Sequence, residues 1–570
     1  MSADTAPRDW PLRAALLAFA GALIALAVHH LTKGTQPWQW TEDHGRIALA
    51  GLLTTGGLAF AFVVERGRQG RSLAFAAIAA LVVASVIYWN GPGSGWDAAE
   101  QWRLTCALLT VAIAAPLFQA WRDGGAGRTI PYVAAHDRAW TNIVLWFAAW
   151  AFVGIAWLLA LLLGELFALI GLKYLNELLR EDWFAKLLTG GALGGAIGLL
   201  RDRERVLGTL QRVVTTVLSV LAPVLAVGLL AFLVALPFTG LTPLWAATRA
   251  TTPILLGCII GALILANAVL GDSPPDERRG ALGWSAMALG VAMLPLGIIA
   301  AVSTGLRIAQ YGLTPERLWA VVFAAIACAY GLAYLVALLR ARGGWGMPVR
   351  VANLRLGIAL CGLAFLLSTP LLSFNALATR DQLARLRDGR TPAAKFDLAA
   401  LRFDFGAPGK AAVTRLARDG ATPAIRAAAT DALKAENRWS ARAVLAVRER
   451  ADTLDARMRI LPAKVPLPAW LRDGVAKIDV CDIKLPCAVV YFPGATDAVV
   501  VAAPTWGIDV TPLDARTIGQ AKVADKVALA AEARQRATER AGVARGAVEV
   551  REVKRRQVFV DGKPVGNSFE

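Results

Sequence analysis

Along the first two-thirds of the chain the polar residues fall in short clusters. Between them run apolar stretches at 12–31, 47–64, 73–89, 104–121, 142–168, 184–200, 213–236, 252–270, 283–304, 318–339 and 354–372. A hydrocarbon core about 30 Å thick takes about 20 helical residues to cross, so each stretch predicts a transmembrane helix, about 11 helices in all. Trp10, Trp89, Trp102, Trp121, Trp140, Trp183, Trp245, Trp284 and Trp319 stand at the edges of these stretches. An amphipathic indole favours the headgroup layer there.

After Leu372 the pattern changes. Helical periodicity appears at Asn375–Asp388, Ala411–Ala417, Pro423–Ala435 and Ser440–Met458, and short β-type runs at Ala488–Phe492 and Ala498–Ala502. A long charged helix is expected at Val523–Ala541. The terminal VEVREV and RQVFVDGKPV alternate about an Asp561-Gly562 turn, which signals a hairpin. Pro462, Pro466 and Pro468 mark a linker. The fold class is therefore mostly α: a polytopic transmembrane helical bundle over 1–372, then a soluble C-terminal α+β domain. That domain divides into a mainly helical region, 373–465, and a small α+β region, 466–570.

Composition supports the division. Hydrophobic residues make up 56% of the chain, mean hydropathy is +0.51 and only 18% of residues are charged, values that belong in lipid. The net charge of +18 is distributed over membrane loops and the tail without a nucleic-acid recognition motif, so the expected surroundings are membrane lipids and not nucleic acid. The stretch Ala14–Val28 reads as a first helix and not as a signal peptide, because no small-residue cleavage site precedes His29-His30 and many spans follow.

Loops on the side of the N-terminus hold Arg66, Arg68, Arg71, Arg122, Arg128, Arg138, Arg201, Arg203, Arg205, Arg212, Arg278, Arg279, Arg340, Arg342 and Arg350. The opposite loops are poorer, with Lys33, Arg46, Arg103, Lys173, Arg180, Lys186, Arg249, Arg307 and Arg317. Positive residues gather on the cytoplasmic side, which puts the N-terminus inside and, after an odd number of spans, the tail outside. The short, Gly-rich segment 184–200 decides the parity: if it is re-entrant, the tail is cytoplasmic. Cysteines give a second argument. Cys106, Cys258, Cys328 and Cys361 lie in apolar spans, whereas Cys481 and Cys487 in CDIKLPC are close enough to form a disulfide, a bond of oxidising compartments. The alternative is a pair of free thiols. Zinc is not expected, since the tail has no histidine and no further cysteine.

Within the spans, Gly190, Gly194 and Gly198 repeat every four residues and Gly191 pairs with Gly195, a groove for close helix packing. The bundle itself supplies the simplest partner, with homodimerisation or a substrate-lining helix as alternatives. Glu165 in LLLGELFALIGL is the one carboxylate deep in an apolar run, either a coupling group or an interfacial residue. Asn267, Asn353 and Arg355 are weaker examples. The segment RIAQYGLTPERLW gathers Arg307, Gln310, Tyr311, Glu316 and Arg317 at one membrane edge; Thr314, Pro315 and Glu316 start a helix there, and a headgroup or partner contact is the functional alternative. No catalytic, cofactor or metal constellation emerges; Asp397 and Asp404 read as a solvated face.

The chain resembles the bacterial multi-pass membrane proteins grouped as domain of unknown function 4153. FVVERGR after the second span, LLLGELFALIGL, QYGLTPERLW and the exit sequence SFNALATRDQLARLRDGR carry the resemblance. It implies a membrane bundle and brings no biochemical activity with it. Relatives have an acidic, calcium-loop-like stretch after the cysteine pair; YFPGATDAVVV keeps only Asp497, which argues against a metal there. The leading expectation is an inner-membrane protein with a periplasmic module and an envelope protein partner. A transporter or channel using Glu165 and the Gly-rich helix, and an enzyme acting on a lipid-linked substrate, are the alternatives.

Overall fold

The computed structural model describes residues 10, 12–34, 41–91, 96–127, 129–240, 251–271, 280–340, 344–462, 465–478, 481, 487–502, 509–516, 556–560 and 563–569. They form two compact units, one of residues 1–388 with 404–409 and the other of 389–403 with 410–570.

The first unit is helical. Its elements are α1 (Arg13–Thr32), α2 (His44–Val63), α3 (Gln69–Asn90), α4 (Ala98–Asp123), α5 (Tyr132–Leu169), the short α6 (Tyr174–Arg180), α7 (Asp182–Asp202), α8 (Glu204–Thr239), α9 (Thr251–Leu270), α10 (Ala281–Tyr311), α11 (Pro315–Arg340), α12 (Gly346–Ser368) and α13 (Phe374–Arg387). Among the described residues, eleven of these, all but α6 and α13, are long and apolar enough to cross a membrane. The chain is an integral, multi-pass membrane protein. Residues 184–200 lie within the continuous 21-residue α7, with no break at which the segment could turn back.

Several helices extend beyond the apolar stretches that predict them, because polar residues carry a helix out of hydrocarbon without breaking it. The 38-residue α5 begins at Tyr132, ten residues before its apolar stretch. At 1.5 Å per residue it is about 57 Å long, nearly twice what the hydrocarbon needs. Local chemistry sets other ends. Asp43 accepts from the Gly45 and Arg46 amides at 2.8 and 3.1 Å, and Asp97 with Glu100 forms a capping box at the start of α4.

Buried residues of the bundle form two main groups. Ala222, Ile259, Leu289, Met293, Leu296 and Tyr334 belong to a core shared by α8 to α12. Leu17, Ala61, Leu145, Ala149, Ala196 and Ile197 belong to another, between α1, α2, α5 and α7. The tightest approach is α1 against α7. A Cβ on Gly190 would lie 2.7 Å from the Ala25 Cβ, one on Gly198 would lie 2.6 Å from the Ala14 Cα, and one on Gly194 would overlap the Leu17 carbonyl. Gly191 and Gly195 sit at the side of this contact, with 3.6 and 3.3 Å to the nearest α1 atoms.

The second unit contains α14 (Leu398–Phe403), most of α15 (Gly406–Asp419), α16 (Pro423–Lys434), α17 (Arg438–Arg457), α18 (Ala469–Lys477) and a sheet. Strands β1 (Met458–Leu461), β2 (Cys487–Val490), β3 (Asp497–Ala502) and β4 (Asp509–Asp514) lie in the order β1-β2-β3-β4; β1 is parallel to β2 and the other pairs are antiparallel. β1 follows α17 with no turn residue between them, and α18 begins at Ala469, directly after the prolines that mark the linker, so neither is visible in the pattern. β4 contains Pro512, which lacks an amide to donate and is tolerated because β4 is an edge of the sheet. The core joins Leu454 of α17 and Leu471 and Val475 of α18 to Val489, Tyr491, Ala498 and Val500 of the sheet region. The expected terminal hairpin is present as β5 (Arg556–Val560) and β6 (Lys563–Phe569), antiparallel. The expected helix at Val523–Ala541, the VEVREV segment and the Asp561-Gly562 turn lie outside the described residues.

Gly194→Leu should force α1 and α7 apart and destabilise the bundle by about 1–3 kcal/mol or more, the usual range for overpacking. Gly191→Ala, whose new Cβ has ordinary contacts, should be nearly neutral. Thermal unfolding of both variants in detergent is the check, and equal midpoints would contradict the backbone-to-backbone contact.

Candidate functional site

The last carbonyls of α2 have no helical amide to accept from. Each of three finds a side chain from a different place. The Ala61 carbonyl accepts from Arg201 of α7 at 2.8 Å, the Phe62 carbonyl from the Gln119 side-chain amide of α4 at 2.8 Å, and the Val63 carbonyl from Arg122 of α4. The Ser72 hydroxyl also donates to the Val63 carbonyl, at 3.0 Å. Cationic donors suit this position because the helix C-terminus carries partial negative charge.

Just beyond α2, Glu65 brings a carboxylate to the same place. Arg201, Arg13 and Arg122 approach it at 3.4, 3.7 and 3.9 Å. A second carboxylate, Asp123, takes Arg122 and Arg138 at 2.9 Å each and Arg68 at 3.3 Å. Arg13 also pairs with Asp202 at 3.4 Å. Arg122 is buried, and the Arg13 and Arg201 side chains are less than a tenth exposed. Around them Asn142 donates to Gln119 at 2.9 Å and Gln211 to Asp137 at 3.0 Å. The cluster thus ties α1, α2, α4, α5 and α7 together at one end of the bundle. The sequence marks it only through FVVERGR, since Arg13, Arg122 and Arg201 come from distant segments.

The motif QYGLTPERLW forms a second polar centre. Gly312 ends α10 with φ +79°, and a Cβ there would lie 2.6 Å from Arg385 and 2.7 Å from both Asp381 and Gln382. Those three residues stand on α13 and clasp the turn. Asp381 accepts from the Leu313 amide at 2.7 Å, Gln382 donates to the Tyr311 and Leu313 carbonyls at 3.0 and 2.9 Å, and Arg385 donates to the Ala309 and Gln310 carbonyls at 2.9 and 3.0 Å. Arg317 donates to the Gly312 carbonyl at 2.6 Å and lies over the Tyr311 ring, 5.5 Å from its centroid. Trp319 stacks on Trp102 at 4.8 Å and meets Phe374 edge-on at 5.0 Å. The motif at the ninth loop and the exit sequence, far apart in the chain, are thus two halves of one contact.

The expected residues separate accordingly. Gln310, Tyr311 and Arg317 are brought together in the clasp; Glu316 is exposed in the first turn of α11, and Arg307 lies one turn before the end of α10. Glu165 is elsewhere, exposed near the end of α5, where Asn176 donates to it at 3.3 Å. The glycines of α7 face α1. Asn267 and Asn353 meet around the buried Tyr334 hydroxyl: Asn267 donates to it at 2.9 Å, and Asn353 donates to it at 3.0 Å and to Asn267 at 2.7 Å. Arg355 is exposed. Tyr334 is missing from the sequence reading because a tyrosine inside an apolar run gives no signal of a partner. In the second unit Cys481 and Cys487 are joined by a disulfide, Cα–Cα 5.4 Å, within the buried core. Among the described residues no group of three His, Cys, Asp or Glu is placed to hold a metal ion.

Among the described residues, eleven helices long and apolar enough to cross a membrane, tied at one end by shared arginines and at another by a helix that leaves the bundle, define a multi-pass integral membrane protein. The family model for the domain of unknown function (DUF4153) matches residues 52–416, and the chain belongs to that family. All four motifs of the resemblance fall within the matched residues. No curated protein and no solved structure matches the chain.

Two substitutions separate the buried from the exposed part of the arginine cluster. Arg122→Gln leaves Glu65 and Asp123 short of a buried cation and should cost on the order of 3 kcal/mol. Arg68→Gln removes a half-exposed partner and should cost less than about 1 kcal/mol. Similar melting temperatures for the two in detergent would contradict this ranking. At the clasp, Asp381→Ala leaves the Leu313 amide without its acceptor, a loss of about 1–3 kcal/mol. Hydrogen exchange at residues 309–313 and 374–387 should then accelerate together; unchanged protection would show that α13 is held by other contacts.

Proposed function

We propose that the chain is a bacterial cytoplasmic-membrane protein that serves the cell envelope, its bundle anchoring a C-terminal unit that binds an envelope protein in the periplasm. The observation that carries this reading is the Cys481–Cys487 disulfide in the core of that unit, a bond that persists in oxidising compartments. The excess of arginine in loops on the N-terminal side, with an odd number of helices long and apolar enough to cross a membrane among the described residues, supports the same orientation. Surface chemistry of the C-terminal unit is compatible with a partner: Trp439 and Phe492 are 82% and 62% exposed. Large aromatics in such positions are favourable anchors for an interface.

Alkaline phosphatase fused after Glu570 should be active in intact cells, and photo-cross-linkers at positions 439 and 492 should capture an envelope protein. A silent phosphatase fusion with a fluorescent cytoplasmic one would reverse the orientation. Active phosphatase with no cross-linked product above background would remove the partner while keeping the topology.

A further inference from the structure

A cavity of about 810 Å³ lies among α1, α2 and α7. It follows α1 from Arg13 to Val28, about 22 Å at 1.5 Å per residue. Its walls are mostly apolar, with Leu16, Phe19, Ile24, Phe60 and Leu193 among them; Trp10, Arg13 and Gln69 stand at one end, and Lys186, paired with Asp182, at the other. An apolar groove with polar groups at its end suits a ligand with a long tail and a polar head.

The charge at that mouth indicates the kind of head. Among the described residues, the ion pairs around Arg13 join five guanidinium groups, of Arg13, Arg68, Arg122, Arg138 and Arg201, to three carboxylates, of Glu65, Asp123 and Asp202. Arg68 and Arg138 are more than a third exposed, so the buried cations of the group are Arg13, Arg122 and Arg201. Arg13 itself is over nine-tenths buried, its pairs to Glu65 and Asp202 are as long as 3.7 and 3.4 Å, and its Nε makes no hydrogen bond. A buried cation held only by long ion pairs, with an unused donor, is stabilised further by an anion.

We propose that this cavity binds one anionic glycerophospholipid of the bilayer, with an acyl chain between α1, α2 and α7 and the phosphate at Arg13. A soluble anion would leave the apolar walls empty, and a zwitterionic lipid would bring a second positive charge beside the buried Arg13. The lipid would bridge α1 and α2 along the side of the bundle where the glycine contact of α1 with α7 leaves the space open.

The test uses the full chain purified in mild detergent and native mass spectrometry with dioleoyl phosphatidylglycerol, dioleoyl phosphatidylcholine and oleate. One phosphatidylglycerol should stay bound under activation that strips the others, and its affinity should fall about tenfold or more in Arg13→Gln, the effect of losing a hydrogen bond to a charged group. Ala20→Trp places a large ring in the cavity without touching the arginines, and should also remove the tightly held lipid. Should Arg13→Gln not fold, the tryptophan variant decides alone. Equal retention of the two phospholipids, preference for oleate, or unchanged binding in Ala20→Trp would each overturn the proposal.

Discussion

Backbone carbonyls at the end of a membrane helix must be met by something, and at the end of α2 they are met by side chains of α4 and α7. Three carbonyls in succession, of Ala61, Phe62 and Val63, draw in Arg201, Gln119 and Arg122. These arginines then require acid groups, which Glu65 and Asp123 supply. Pairing in a medium of low dielectric is strong only when geometry is maintained, so the surrounding helices are held in register by the same contacts. Through Arg13, α1 is brought into this arrangement, and its small-residue face is directed at α7. The order of causes runs from a helix end to a charge cluster, and from the cluster to the packing of half the bundle.

The clasp around Gly312 solves a related problem differently. Here the chain turns sharply between α10 and α11, and the carbonyls from Ala309 to Leu313 are taken by Gln382, Arg385 and Arg317, with Asp381 holding the Leu313 amide. The glycine leaves the space in which α13 lies. A polar turn is thereby closed by a helix that has already left the hydrocarbon, which is why residues up to 388 belong to the same compact unit as the bundle although α13 is too polar to cross a membrane. Three of the four motifs that carry the family resemblance can thus be given physical roles, FVVERGR, QYGLTPERLW and the exit sequence, whereas LLLGELFALIGL ends α5 with Glu165 beside Asn176.

The helical spans were legible because crossing hydrocarbon imposes a length and an apolarity that few other structures share. Their polar extensions were not, since residues such as Tyr132 to Thr141 continue α5 without contributing to hydropathy. In the C-terminal unit, β2 and β3 were visible as β-branched runs, but β1 depends on pairing with residues 487–490, and β4 on an edge position that excuses Pro512. For the candidate site, Gly312 and Arg317 stood within a motif already singled out, while Arg122 and Arg201 appeared only as members of a charge bias and Arg13 carried no signal at all. Residue type marks them as loop cations; only tertiary contact reveals that they share Glu65. The Asn267–Tyr334–Asn353 network has the same character, being assembled from three helices whose patterns are independent.

The contact of α1 with α7 bears on the timing of assembly. Gly21 meets Gly190 across nearly 170 residues of intervening chain. With synthesis at about 5–20 residues per second, the first helix waits on the order of ten to thirty seconds for its neighbour. During that interval its glycine and alanine face has only lipid, or an insertion chaperone, to lie against. The bundle's first half therefore cannot close in the order in which it is made, and the seventh helix acts as the late-arriving member on which the earliest one depends.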